Sequence, residues 1–153
     1  MHNSDNRRAA GFSLIELLVV VAIIMIIMGL AIPRIQAAKI QAYEAGAVKA
    51  ISTIHVAQAQ YQSEKVRFAL TLTELGPQAG GGPGAAELIS ADLASGEKSG
   101  YKYNLQANES GYTINASPIA FNSTGKHTFY SDQTLIIRKN SSMEPATAAS
   151  PEI

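Results

Sequence analysis

The chain contains no cysteine and no tryptophan. Without cysteine there is no disulfide to close a loop, no thiol nucleophile and no thiolate site for zinc. Only three histidines occur, His2, His55 and His127. They stand far apart in sequence, with no His-Glu-x-x-His pair to seat a metal. A Gly-x-Ser-x-Gly nucleophile turn is absent too. Neither sign of charge dominates: 12 basic and 12 acidic residues cancel. A dedicated nucleic-acid binder would show a basic excess. The glycine-rich stretch Gly76 to Gly84 lacks the Gly-Lys-Ser/Thr ending of a phosphate-binding loop. These absences predict a chain that is not an enzyme, with no cofactor, no metal ligands and no specific nucleic-acid partner.

The most local scarcity is of charge. From Leu17 to Ile32 no side chain is charged or strongly polar. Phe12 to Ile32 spans roughly 32 Å as a helix at about 1.5 Å per residue, which matches a hydrocarbon core of about 30 Å. Glu16 interrupts the front of this stretch. A carboxylate carried to the centre of a spanning helix costs about 2.5–3.5 kcal/mol, so it marks a functional site with a partner. A cut between Gly11 and Phe12 would create that partner, a free α-amine one helical turn before Glu16. A secretory signal is cut after its apolar region. Here the cut would fall before it and leave the helix on the mature chain. The segment before the cut carries Arg7 and Arg8, which favours a cytoplasmic position, while Arg34 and Lys39 on the other flank weaken that bias. Removing residues 1–11 takes two basic residues and one acidic one, so the balance stays near zero.

Gly11-Phe12-Ser13-Leu14-Ile15-Glu16-Leu17, with Pro33 further on, resembles the prepilin processing site of type IV pilins and their relatives. The close likeness covers about Gly11 to Tyr61. It implies a prepilin peptidase that cuts after Gly11 and methylates Phe12, with Phe12 and Glu16 used in assembly. It implies further partners: copies of the same chain in a helical filament, the inner-membrane assembly machinery, and a bilayer crossed once. The location implied is the inner membrane before assembly and the cell surface afterwards. The function implied is that of a major or abundant pilin of a type IV pilus. The alternative is a pseudopilin of a type II secretion system. In that family the major pseudopilin of type II secretion commonly has a calcium site in its late loops, whereas Glu97, Glu109 and Asp132 are scattered here, which tips the reading toward the pilus.

The rest of the chain gives a domain plan. Residues 1–11 form a leader and 12–33 a membrane and filament-core helix. Within that helix Pro33 leaves the Gly29 carbonyl without its intrahelical donor, which predicts a bend at Gly29–Pro33. Residues 34–64 continue the helix. Ala47, Ile51, Ile54, Gln58 and Tyr61 share one face, expected to lie on a sheet, with Lys49, Thr53 and Gln60 opposite. His55 reads as a boundary residue. Residues 65–139 form a head: a turn at Thr71–Gly76, the glycine-rich loop, a short helix from Ala85 to Ala94, then alternating strands. Tyr101, Tyr103 and Leu105 pair with Tyr112, Ile114 and Ala116 across Asn108–Gly111. A second pair, Lys126–Tyr130 and Thr134–Lys139, turns at Ser131–Gln133. Residues 140–153 read as a flexible tail. The fold class is α+β: a long N-terminal helix packed on a three- to four-stranded antiparallel sheet, as in pilins.

Overall fold

The structure, a computed structural model, describes residues 11–77, 86–108 and 110–153. The leader up to residue 10, most of the glycine-rich loop and Glu109 of the first hairpin turn lie outside them. The chain divides into two units, residues 1–36 and 37–153.

Helix α1 runs from Leu14 to Lys65 and passes through both units. Its first part is apolar on every side. Phe12, Leu14, Ile15 and the large apolar side chains from Leu17 to Ile35 are all exposed. An all-apolar helix surface is normally covered by protein or lipid, and this helix is long and apolar enough to cross a membrane.

In the second unit α1 becomes amphipathic. Ala47, Ile51, Ile54, Gln58 and Tyr61 are buried, joined by Ala50 and Ala57, while Lys49, Thr53 and Gln60 are exposed. The alternation of i+3 and i+4 steps produces this face. The buried glutamine is satisfied: Gln58 Nε2 donates to the Ala69 carbonyl and its Oε1 accepts the Ala69 N–H, both at 2.9 Å. This clamps the chain leaving α1 back onto the helix. Arg67 strengthens the return by donating to Glu74 and to the Tyr61 hydroxyl, each at 3.0 Å.

Two short helices follow, α2 (Leu72–Leu75) and α3 (Ala91–Ala94). Among the described residues, the helix expected from Ala85 to Ala94 is thus confined to its last turn. The Leu88 and Ile89 N–H groups both donate to the Leu75 carbonyl, at 2.8 and 3.2 Å, and Glu87 adopts φ +50°. Leu88 and Ile89 still anchor the segment to the core, but from a non-helical link between the two turns.

The sheet is antiparallel, in the order β1 (Glu97–Lys98), β2 (Tyr101–Asn108), β3 (Gly111–Pro118), β4 (Thr128–Asp132), β5 (Ile137–Asn140). Among the described residues it has five strands rather than three or four; the additional strand is the two-residue β1, paired to Lys102 and Tyr101. Tyr101, Tyr103 and Leu105 face the core with Ile114, Ala116 and Phe129. The second hairpin begins two residues later than the alternation suggested. Asp132 Oδ1 accepts the Thr134 N–H (2.9 Å) and its hydroxyl (2.6 Å), and the Asp132 carbonyl accepts the Leu135 N–H. The turn therefore follows Asp132. Lys126 is not a strand residue; its N–H donates to Glu44 Oε1 at 2.8 Å.

Residues 140–153 are folded, contrary to the expected flexible tail. The Lys139 N–H donates to the Pro151 carbonyl (2.9 Å) and the Ile153 N–H to the Ile137 carbonyl (3.1 Å). Arg138 pairs with Glu152 at 2.9 Å, the Thr128 hydroxyl donates to the Glu144 carbonyl at 2.7 Å, and Ala146 is buried. The segment covers the free edge of β5, which would otherwise present unpaired backbone groups.

Candidate processing and assembly site

The processing residues stand just ahead of α1. Gly11, Phe12 and Ser13 precede the first helical residue, Leu14. A Cβ added at Gly11 would meet nothing within 4 Å, and Phe12 is 88% exposed. The Gly11–Phe12 bond thus lies outside the helix in uncovered chain.

Glu16 has a local partner. The Ser13 N–H donates to Glu16 Oε2 at 2.8 Å. Ser13 is the residue before the helix and Glu16 the third residue within it, so the carboxylate closes one half of a capping box. The first N–H groups of a helix have no intrahelical acceptor, and an acidic side chain in the first turn also favours the positive end of the helix dipole. Among the described residues no hydrogen bond joins Phe12 to Glu16. Ser13 is the residue that sequence reasoning missed, although Ser-x-x-Glu before an apolar run is a legible capping signal. Gly29 and Pro33 both lie inside α1, and Gly29 is open, with nothing within 4 Å of an added Cβ.

His55 is buried rather than a boundary residue. Its Nδ1 lies 2.7 Å from the Tyr112 hydroxyl and its Nε2 lies 2.8 Å from Ser131 Oγ. The Ser131 hydroxyl donates to the Ile136 carbonyl at 2.8 Å. The proton order follows: Ser131 can only accept from Nε2–H, so Nδ1 is the acceptor for Tyr112. Burial lowers the His55 pKa, opposed in part by the Asp132 charge. A serine so close to an imidazole has the spacing of a nucleophile and base. Ser131 is fully buried, however, with its proton given to a backbone carbonyl, and the other ring nitrogen faces a phenol. The arrangement fastens α1 to β3 and β4. Among the described residues no group of three or more His, Cys, Asp or Glu side chains could hold a metal ion.

Residues 6–32 match the family model described as the prokaryotic N-terminal methylation motif. No curated protein and no solved structure matches the chain. The motif implies processing by a prepilin peptidase and one N-terminal helix embedded in a membrane. On an α+β pilin-like architecture, the chain carries the N-terminal signal of the type IV pilins and pseudopilins.

Proposed function

We propose that this chain is a structural subunit, the major or an abundant pilin, of a type IV pilus. The observation that carries the reading is the pairing of the methylation motif with an apolar helical segment exposed on every side. The bilayer covers that segment in the stored subunit. Extraction would expose it to water, so leaving the membrane is favourable only where neighbouring copies bury it again. Assembly by helix packing does this, and the sheet unit is left to form the outer surface.

Glu16 has a distinct role in each state. In the single chain it caps its own helix through the Ser13 N–H. After cleavage Phe12 gains an amine, and in a filament core the Glu16 carboxylate of one copy compensates the Phe12 amine of the next. Leaving a carboxylate unpaired in an apolar core is costly, which selects one axial register. Gly29 and Pro33 provide the place where α1 can bend or loosen during packing, since the missing proline N–H frees a carbonyl.

The test is mass spectrometry of filaments sheared from cells, with the N-terminus read directly. A methylated Phe12 start in abundant sheared material is expected. An intact leader in the presence of the peptidase would overturn the reading. A processed start confined to the envelope, with a secretion defect on deletion, would make the chain a pseudopilin.

A further inference from the structure

The face of the sheet turned away from the core carries side chains for which the fold has no use. Tyr101, Tyr103, Leu105, Ile114, Ala116 and Phe129 belong to the core. The residues between them point outward, because side chains alternate along a strand. These outer residues meet across the strands. Asn104 stands opposite Asn115, and Asn115 opposite Tyr130; Gln106 stands opposite Thr113, and Thr113 opposite Asp132. Asparagine is depleted from strands, where β-branched and aromatic side chains fit better. Two asparagines facing each other on neighbouring strands therefore work against the sheet. Asn104 and Gln106 are exposed, and Thr113 and Asn115 half-buried. Among the described residues no hydrogen bond engages any of these four side chains. A local rule broken without a compensating gain in the fold points to a functional surface.

The same residues line two adjoining clefts. One, of about 430 Å³, lies among Lys102, Asn104, Asn115, Ser117 and Pro145. The other, of about 500 Å³, has Gln106, Asn108, Thr113, Tyr130, Asp132 and Gln133 in its lining. Gln106 lies two residues beyond Asn104 on β2, roughly 7 Å at about 3.4 Å per residue. The clefts thus follow one another along the strands as one trough. Pro145, in the C-terminal segment, walls one end. The turns at Asn108 and Gln133 wall the other.

The chemistry of the lining narrows the ligand. Among the described residues Lys102 is the one cation and Asp132 the one carboxylate that line either cleft. A single lysine is too little positive charge to track a phosphate backbone. Asp132 already accepts three hydrogen bonds, from the Thr134 N–H, the Thr134 hydroxyl and the Tyr130 hydroxyl. It lacks the further carboxylates that a calcium ion takes. No leucine, isoleucine, valine or phenylalanine lines either cleft among the described residues, so an amphipathic helix would find no anchor there. The trough offers carboxamides, each with both donors and an acceptor, together with hydroxyls and the Tyr130 ring. A sugar hydroxyl needs a donor and an acceptor at once, which a carboxamide supplies, and the C–H face of a sugar ring packs on an aromatic ring with a polar tip.

We propose that this trough binds a neutral polysaccharide, with Asn104, Asn115 and Gln106 holding sugar hydroxyls and Tyr130 packing against a sugar ring. The site lies within the sheet unit and does not depend on assembly. It can be tested by electrophoresis of the full chain, in a detergent without a sugar head group, through native gels containing dextran, mannan, galactan or laminarin. Retardation by at least one of the four is expected, and it should be the same at low and high salt, since no phosphate or sulfate is involved. The double variant Asn104→Thr with Asn115→Thr is expected to weaken that retardation at least tenfold while raising the thermal midpoint, because threonine suits a strand better. No retardation of the wild-type chain by any of the four would overturn the proposal, as would wild-type retardation of the double variant. A lower thermal midpoint in the double variant would return the two asparagines to the fold and overturn it too. Retardation by heparin or single-stranded DNA alone, lost at high salt, would make the ligand a polyanion and overturn it.

Discussion

Two buried polar side chains carry much of the specificity of the core, and each makes a measurable prediction. Gln58 is fully buried and meets both backbone groups of Ala69. Gln58→Ala would strand one N–H and one carbonyl, at about 1–3 kcal/mol each. Urea unfolding of the detergent-solubilised chain is expected to show a loss of about 2–6 kcal/mol. His55 predicts a pH dependence. Its folded pKa lies below 6.5 because burial disfavours the charged ring, so below 6.5 the unfolded chain binds the proton that the folded chain resists. Stability from this group is complete above pH 6.5 and declines as the pH falls through 6.5 toward the folded pKa. Protonation would also turn Nδ1 into a donor facing the Tyr112 hydroxyl. The thermal midpoint should therefore drop on going from pH 7.5 to pH 5, and drop less in His55→Gln. An equal drop in both would assign the acid sensitivity to other groups.

Among the elements, α1 and the C-terminal segment differ most in how legible they were. The helix stripe from Ala47 to Tyr61 is periodic, and the structure buries all five residues read from it. Ile54→Ala should cost about 2–5 kcal/mol, since Ile54 is fully buried and its removal leaves a cavity. The segment after Asn140 has no periodicity. It is held by two backbone bonds to β5, one ion pair, the Thr128–Glu144 hydrogen bond and the buried Ala146, and Ser, Ala, Pro and Thr give no pattern that announces such pairing. Truncation after Ala149 removes the Pro151 and Ile153 bonds and the Arg138–Glu152 pair. A lower urea midpoint, by about 1–3 kcal/mol of stability, and greater association through the opened β5 edge are expected; an unchanged midpoint and a monodisperse sample would mean that the segment contributes nothing. The hairpin shift has a similar cause. The strand alternation was readable, but the turn was set by the Asp132 side chain bonding Thr134, a choice local chemistry makes without changing the hydrophobic pattern.

For the whole molecule the decisive prediction concerns Glu16. Glu16→Ala should leave membrane insertion intact and reduce sheared filaments at least tenfold, measured against the membrane pool; normal filaments would remove the proposed amine–carboxylate pairing. The candidate site was legible because its chemistry is written in consecutive residues, whereas the His55 fastener joins residues 55, 112 and 131, which no local pattern links. The sheet order β1-β2-β3-β4-β5 has a consequence for how the chain is made. Every strand pairs with the one synthesised just before it, so no strand waits for a distant partner and each loop closure is short. The sheet can zip up in the order in which it emerges, as α1 waits for its covering. The slow, long-range step is left to the end, when Tyr112 and Ser131 reach back to His55 and lock the finished sheet onto the helix.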